Sequence, residues 1–119
     1  MKAGRKISGG KYKKRRKKKM YELPGQARKV KLGKEKRKTQ KSKGGNRKTF
    51  LLGTNMVNVK IGNKIHKMEI KNVIETPSNR FLARQNILSK GTIVQTDKGK
   101  VRITNRPSQE GMVNGVLVE

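Results

Sequence analysis

The sequence predicts an all-β fold, a small antiparallel β-barrel of about six short strands that follows a long, basic, irregular amino-terminal extension. Residues 49–119 contain short apolar runs separated by turn signals, which is the spacing typical of small barrels. Residues 1–48 hold 22 basic and 2 acidic side chains and only 10 apolar ones, against 26 apolar residues in the remainder. We therefore expect a basic extension at 1–45, disordered when free, and a barrel domain at 46–119.

Little regular structure is expected in the extension. Residues 1–19 are extended or irregular in this prediction, because they are rich in glycine and have almost nothing to bury. Pro24 and Gly25 form a turn signal. Val30 and Leu32 alternate with lysines and predict one short strand.

The first two strands of the barrel are predicted at 48–53 and 56–62. In the second of these, Val57, Val59 and Ile61 recur every two residues, which is the period of a half-buried strand. The sequence therefore places these three side chains on one face.

A third strand is predicted over 64–76, after a tight hairpin turn at Gly62-Asn63. Met68, Ile70 and Ile74 are expected to share its buried face. Residues 80–91 fit either a helical turn or an irregular strand, and we predict a strand.

The last strands are predicted at 92–96, 100–104 and 112–118. The first two flank Asp97-Lys98-Gly99, a three-residue turn with glycine at its end. Closure of these strands into a barrel would remove the exposed sheet edges that invite aggregation.

Positive charge is the strongest functional signal. The chain carries a formal net charge of +26, and self-repulsion on that scale disfavours a compact state unless a polyanion balances it. Two clusters, at 11–19 and 34–48, hold 16 of the 33 Lys and Arg residues. Such side chains contact phosphate oxygens and displace condensed counterions, so nucleic acid is the first partner to expect. The alternative is a solvated tail or a localisation signal.

One glycine pair, Gly9-Gly10, lies immediately before the first cluster, and another, Gly44-Gly45, lies inside the second. Glycine lets the backbone adopt positive φ and lets N–H groups approach an anion, although linker flexibility explains the pairs equally well. The predicted RNA-binding residues are therefore drawn from the clusters, these pairs and the two cations before the first pair: Arg5, Lys6, Gly9, Gly10, Lys11, Lys13, Lys14, Arg15, Arg16, Lys17, Lys18, Lys19, Arg37, Lys41, Lys43, Gly44, Gly45, Asn46, Arg47 and Lys48.

RNA is favoured over DNA as the partner. The basic run has no heptads, no Cys/His finger spacing and no evident helix-turn-helix. Four aromatic residues are too few for a sheet that stacks successive bases. We expect an arm that contacts phosphates and 2′-hydroxyls of folded RNA. A DNA-packing protein of the chromatin type is the alternative.

Catalysis, cofactors and metals are not expected. His66 is the only histidine and is interpreted as structural, and the scattered carboxylates form no acid–base pair or metal set, which argues against a nuclease. The absence of cysteine excludes disulfides and thiolate metal sites. No stretch has the apolar length of a signal sequence or a membrane span, so an intracellular protein is expected, without membrane or small-molecule partners.

Ordered segments along nearly the whole chain resemble a known family, the e-type protein number eight of the archaeal and eukaryotic small ribosomal subunit. The segments are RKISGGK (5–11), YEL (21–23), KSKGGNRK (41–48), NILSKGTIVQTDKGKVRITNRPSQEG (86–111) and VNGVLVE (113–119). The short chain resembles the archaeal form. YELPGQ departs from the family pattern, which has a glycine soon after the leucine and a second proline.

This resemblance implies a structural component of the small subunit, located in the cytoplasm, with a β-barrel body and a basic extension. It implies small-subunit ribosomal RNA and neighbouring ribosomal proteins as partners. It also favours RNA contact, rather than flexibility alone, for Gly9, Gly10, Gly44, Gly45, Asn46 and Arg47.

Overall fold

The computed structural model describes residues 4–13 and 15–118 of the chain. Its regular secondary structure is almost entirely β-strand, as predicted. The strands are β1 (Val30–Leu32), β2 (Lys36–Lys41), β3 (Arg47–Thr54), β4 (Met56–Ile61), β5 (Lys64–Glu75), β6 (Ile87–Leu88), β7 (Ile93–Thr96), β8 (Gly99–Ile103) and β9 (Asn114–Leu117). One short helix, α1 (Arg80–Arg84), separates β5 from β6, and 3₁₀ turns occur at Met20–Glu22 and Lys43–Gly45.

Five of these strands close a barrel in the order β4-β5-β7-β8-β9, which confirms the predicted small barrel. Four of its strand pairs are antiparallel, and the fifth, β4 with β9, is parallel and pairs Val59 with Gly115. At Gly115 the backbone of β9 also passes very close to β8, its neighbour on the other side. A Cβ atom added to Gly115 would lie 2.4 Å from Val101 Cγ1 and 2.9 Å from the Arg102 carbonyl oxygen. Glycine is therefore the residue that fits between β8 and β4.

The barrel interior is filled by aliphatic side chains. Val57 and Val59 are buried and Ile61 is half-buried, so the face predicted from their two-residue spacing is confirmed. Other strands add the remaining core, which includes Met68, Ile70, Val73, Val94, Val101, Ile103 and Val113. Valine and isoleucine suit this position because their branched side chains pack well on a pleated surface.

The buried face predicted for β5 is right for Met68 and Ile70 and wrong for Ile74. Val73 is buried instead, and Ile74 is exposed. The register of β5 against β7 shifts between Ile70 and Asn72 and again between Val73 and Glu75. Each irregularity inserts an extra residue and reverses the side that the following side chains face, so strict alternation fails here.

The strand predicted over 80–91 is wrong for its first half, which forms α1. The Asn79 side chain accepts a hydrogen bond of 3.0 Å from the Phe81 backbone N–H and so caps the start of this helix. Only Ile87 and Leu88 form a strand, and both are buried. The turn between β7 and β8 also differs, since Thr96 pairs directly with Gly99 and the loop has two residues rather than three.

A second sheet lies beside the barrel, with strands in the order β2-β3-β1-β6. The predicted strand at 48–53 belongs to this sheet as β3, and the short strand predicted from Val30 and Leu32 is confirmed as β1. Strand β2 was not expected, because all six of its residues are polar or basic and all are exposed. It exists because β3 offers it a complete antiparallel partner.

The described residues before β1 have little regular structure. Arg5 and Lys11 form an isolated antiparallel bridge, and residues 4–13 and 15–29 are all exposed. The boundary between an extension and a barrel domain at residue 45 stays a prediction, as does the disorder of the free extension. Sheet pairing nevertheless joins β1 and β2, which precede that boundary, to strands that follow it.

The close approach at the barrel seam gives a test. We expect Gly115→Ala to lower the free energy of unfolding by about 1–3 kcal/mol or more, because backbone and a core valine must move to admit the methyl group. Gly25→Ala, whose added Cβ would meet nothing within 4 Å, is the matched control and should change it by no more than about 0.5 kcal/mol. Urea unfolding measures both. Equal stability of the two variants would contradict the described seam.

Candidate nucleic-acid interface

The densest cationic surface is the hairpin formed by β2 and β3. We call residues 36–50 the basic hairpin. Its register pairs Lys41 with Arg47, Gln40 with Lys48 and Lys38 with Phe50. Like charges placed opposite each other on a sheet are destabilising, so Lys41 and Arg47 are poorly arranged for stability and well arranged to bind an anion between them.

The two faces of the basic hairpin differ in their surroundings. Thr39 and Thr49 share one face, and their hydroxyl oxygens lie 2.9 Å apart. Lys38, Gln40 and Lys48 lie on the other face with Phe50, because residues two apart on a strand point to the same side. Charges are therefore presented on both sides of a thin two-stranded ribbon, which is exposed along β2.

A tight turn ends the hairpin. The Ser42 N–H donates to the Asn46 carbonyl oxygen at 2.6 Å, and Gly44 and Gly45 both have positive φ, at 79° and 76°. Residues other than glycine rarely adopt a positive φ, so the turn itself requires glycine at both positions. This turn explains the Gly-Gly pair structurally, and the predicted approach of these residues to RNA stays a prediction.

Arg28 was not among the predicted binding residues, and the structure adds it to this surface. Its guanidinium carbon lies 3.7 Å from the centre of the Phe50 ring, and its Nη2 donates to Gln40 Oε1 at 2.7 Å. A guanidinium fixed by both a ring and an amide is held in one orientation, with its remaining donors free for a phosphate. Arg28 lies outside both basic clusters and far from Phe50 in sequence, so no local pattern indicated the pairing.

Beside this arginine the hairpin borders a cleft of about 640 Å³. Its lining is polar, includes three cations, and consists of Arg28, Gln40, Lys41, Ser42, Lys48, Gln109 and Glu110. The loop that supplies Gln109 and Glu110 is fixed by Asn105, which donates to Glu110 Oε2 and to the Met112 carbonyl oxygen, both at 2.7 Å. The one carboxylate of the cleft is thus already engaged within its own loop.

The predicted residues at 5–11 form a small turn. The Lys6 N–H donates to the Gly10 carbonyl oxygen, the Gly9 N–H to that of Lys6, and Arg5 Nη1 to the Gly9 carbonyl oxygen. Gly9 has a φ of 76°, so this turn also requires its glycine. Among the described residues, no hydrogen bond joins this turn to the basic hairpin.

The cluster at 11–19 is exposed where it is described, and Lys14 lies outside the described residues. Arg16 forms a two-pronged ion pair with Glu22, with nitrogen–oxygen distances of 2.6 and 2.9 Å. The hydrogen bonds from Arg16 and from the Lys19 backbone N–H hold the pKa of the Glu22 carboxyl below its usual range. Arg37 of the hairpin is likewise paired, with Glu35 at 2.6 Å.

Neither a cluster of metal-ligating side chains nor a membrane-spanning helix occurs in the part of the chain that the structure describes. No group of three or more His, Cys, Asp or Glu side chains lies together there. The described helices are also too short and too polar to cross a lipid bilayer. His66 lies half-buried in β5, opposite Val59 in the barrel.

Comparison with known proteins assigns the chain to a family. The family model described as Ribosomal protein S8e matches residues 1–118. The chain belongs to the ribosomal protein S8e family. The match includes both predicted basic clusters as well as the barrel, so the resemblance seen in the sequence is confirmed over almost the whole chain.

Similar proteins of the S8e family come from archaea. The Small ribosomal subunit protein eS8 of Staphylothermus marinus is 44% identical over 118 residues, which are 97% of this chain and 92% of the relative. The proteins of the same name from Haloarcula marismortui and Halorubrum lacusprofundi are 39% and 36% identical, each over 97% of this chain and 94% of the relative. These relatives are named as ribosomal proteins, which supports the prediction that this S8e protein is not an enzyme.

The ion pair between Arg16 and Glu22 gives a prediction on pH. The pair should be complete above the ordinary pKa of a glutamate and should be lost as the pH falls through the lowered pKa of Glu22. In Arg16→Ala the pKa of Glu22 should rise toward its usual range, because the largest cause of its lowering is removed. Carbon-detected NMR titration measures it, with Arg15→Ala as the control. A pKa of Glu22 that is the same in both variants would contradict the pairing.

Proposed function

We propose that this chain is a structural constituent of the small ribosomal subunit and binds ribosomal RNA through its basic extension and its barrel-held basic hairpin. In this proposal it supports subunit assembly and translation in the cytoplasm, beside neighbouring ribosomal proteins. The relatives are named as proteins of the small ribosomal subunit. The observation that carries the proposal is a cationic edge strand, exposed at every residue, attached to a closed barrel.

The mechanism is electrostatic. RNA segments repel each other through their phosphates, and each lysine or arginine that binds a phosphate releases condensed counterions and reduces that repulsion. The basic hairpin holds its cations on paired strands, so their spacing is set before RNA arrives. Less conformational entropy is then lost on binding than with a disordered segment of equal charge.

Rigid attachment of the hairpin comes from β3. Leu51 is buried and its N–H donates to the carbonyl oxygen of Pro107 at 3.1 Å, while Lys31 and Leu32 of β1 pair with its final residues. These contacts join the strand that carries the hairpin to the loop between β8 and β9 and to β1. The barrel therefore fixes where the cations lie relative to the rest of the molecule.

The residues proposed to contact RNA are those predicted from the sequence, with Arg28 added. Arg28, beside the hairpin, and Arg47, within it, each bind a phosphate through two hydrogen bonds, because guanidinium donors match phosphate oxygens in geometry. Lysines beside them act as point charges. Arg16 and Arg37 each have a carboxylate partner in the free protein, so RNA must compete with Glu22 and Glu35 for them.

Packing of DNA is the second candidate function, favoured only by the charge. The same cations bind phosphates of duplex DNA, and the basic run has none of the motifs that read base edges in a DNA groove. Titration with duplex DNA and with small-subunit RNA, side by side at equal salt, separates the two. A clear preference for the duplex would overturn the ribosomal proposal.

Removal of three hairpin cations gives the sharpest test. In a variant with Lys38, Lys41 and Lys48 replaced by Gln, we expect weaker binding to small-subunit RNA. The slope of log affinity on log salt should fall by about 2 to 3, since each phosphate contact contributes about 0.7–0.9. Filter binding at several salt concentrations measures the slope.

The matched control replaces Lys64, Lys98 and Lys100, three exposed lysines of the barrel, by Gln. Both variants lose the same charge, so a general effect of net charge weakens them equally. The proposal expects the larger decrease for the hairpin variant. Equal slopes for the two variants would show that the hairpin has no special part in binding.

A further inference from the structure

An exposed aromatic ring lies on α1, the short helix between β5 and β6. Phe81 is 54% exposed, whereas Phe50 is 4% exposed. Leaving a phenylalanine ring in water forfeits the stabilisation that burial would give. Leu82 and Ala83 of the same helix face inward and are half-buried, so α1 is fixed by its other side.

Two arginines flank this ring. Arg80 and Arg84 are four residues apart, a spacing that puts them on one side of a helix, and Phe81 lies between them in the chain. Their guanidinium carbons are 5.4 and 5.9 Å from the centre of the Phe81 ring. At Phe50 the corresponding distance is 3.7 Å and the ring is covered. The Phe81 ring is therefore near two cations and still open to a third group.

A concavity of about 480 Å³ adjoins the two arginines. Its volume is within the range of small-molecule sites. Side chains with hydrogen-bonding groups line it beside the aliphatic ones, and the lining comprises Asn72, Val73, Ile74, Glu75, Thr76, Arg80, Ala83, Arg84 and Asn86. The exposed amides of Asn72 and Asn86 and the carboxylate of Glu75 offer both donors and acceptors, as the edge of a nucleobase requires.

We infer that Phe81, Arg80 and Arg84 form a binding site for one unpaired nucleotide of RNA, an inference that rests on the proposed RNA-binding function. The base stacks on the exposed ring of Phe81, and the two guanidiniums bind the phosphates on either side. Aromatic rings that carry unstacked bases, with arginine beside them, are the common means by which proteins bind single-stranded RNA.

The chemistry favours RNA over a protein partner at this site. A protein that buried Phe81 would also have to cover two guanidiniums, whose only carboxylate in the adjoining concavity is that of Glu75. Burying unpaired charge is costly. A nucleotide brings a flat apolar surface and an anion together, so it satisfies the ring and the arginines at once.

The test uses the full chain, which has no tryptophan. Phe81→Trp therefore introduces a single fluorescent reporter at the site. A single-stranded RNA of nine adenosines should quench its fluorescence in a saturable manner, and an RNA duplex of equal length should bind with little quenching. Ile65→Trp, at the other end of β5 and 74% exposed in the native residue, is the control and should show little quenching with either RNA.

Affinity gives the second readout, at high salt concentration, where phosphate contacts contribute least. Phe81→Leu should weaken binding of the single strand by about 5- to 150-fold, the range for loss of one base–aromatic stack. Binding of the duplex should stay within about twofold, and Phe81→Tyr should retain the wild-type affinity. An unchanged unfolding midpoint for Phe81→Leu excludes a loss of structure.

Two results would overturn the inference. One is an equal effect of Phe81→Leu on single strand and duplex, and the other is no effect on either. If the second result came with poor incorporation into small subunits, the ring would instead contact a protein. In each of these cases the basic hairpin should still bind small-subunit RNA, so failure of this inference would leave the proposed function intact.

Discussion

Strand β3 is the element on which the arrangement of charge depends. Its second half is buried, from Phe50 to Thr54 with Leu52 half-buried, and its first half carries Arg47 and Lys48 in solvent. A Cβ atom added to Gly53 would lie 2.8 Å from the Lys34 carbonyl oxygen, so β3 also passes very close to the chain between β1 and β2. One strand therefore joins the packed interior to the cationic ribbon, and without it β2 has no partner.

Basic residues are concentrated in residues 1–48 and apolar residues in 49–119. In the fold the cationic surface adjoins the packed interior but does not enter it. The barrel closes with aliphatic side chains and a glycine seam, which requires few ion pairs. Three ion pairs occur among the described residues, all of them exposed. Exposed ion pairs contribute little to stability, so the large excess of cations is left available for an external polyanion. This division suits the RNA-binding function proposed above.

The sequence was sufficient for the parts of the fold in which alternation is regular. The two-residue spacing of Val57, Val59 and Ile61 predicted β4, and Gly62-Asn63 predicted the hairpin turn between β4 and β5. Prediction failed where a neighbouring strand decides the outcome. The polar strand β2 depends on pairing with β3, the exposure of Ile74 depends on irregular pairing with β7, and Arg28 depends on a ring 22 residues away. The glycine pairs were identified from the sequence, whereas the structure was needed to show that Gly9, Gly44 and Gly45 have positive φ in turns.

Hydrogen exchange in the RNA-free protein tests the central claim most directly, namely that the basic hairpin is a surface formed before RNA binds. The amide protons of Lys36–Lys41 that pair with β3 should exchange more slowly than those of residues 15–19, which have the same kind of charge and no strand partner. Protection that extends into β2 without RNA is the expected result. Exchange of the β2 amides at the rate of an unstructured chain, with protection only after RNA is added, would contradict the account.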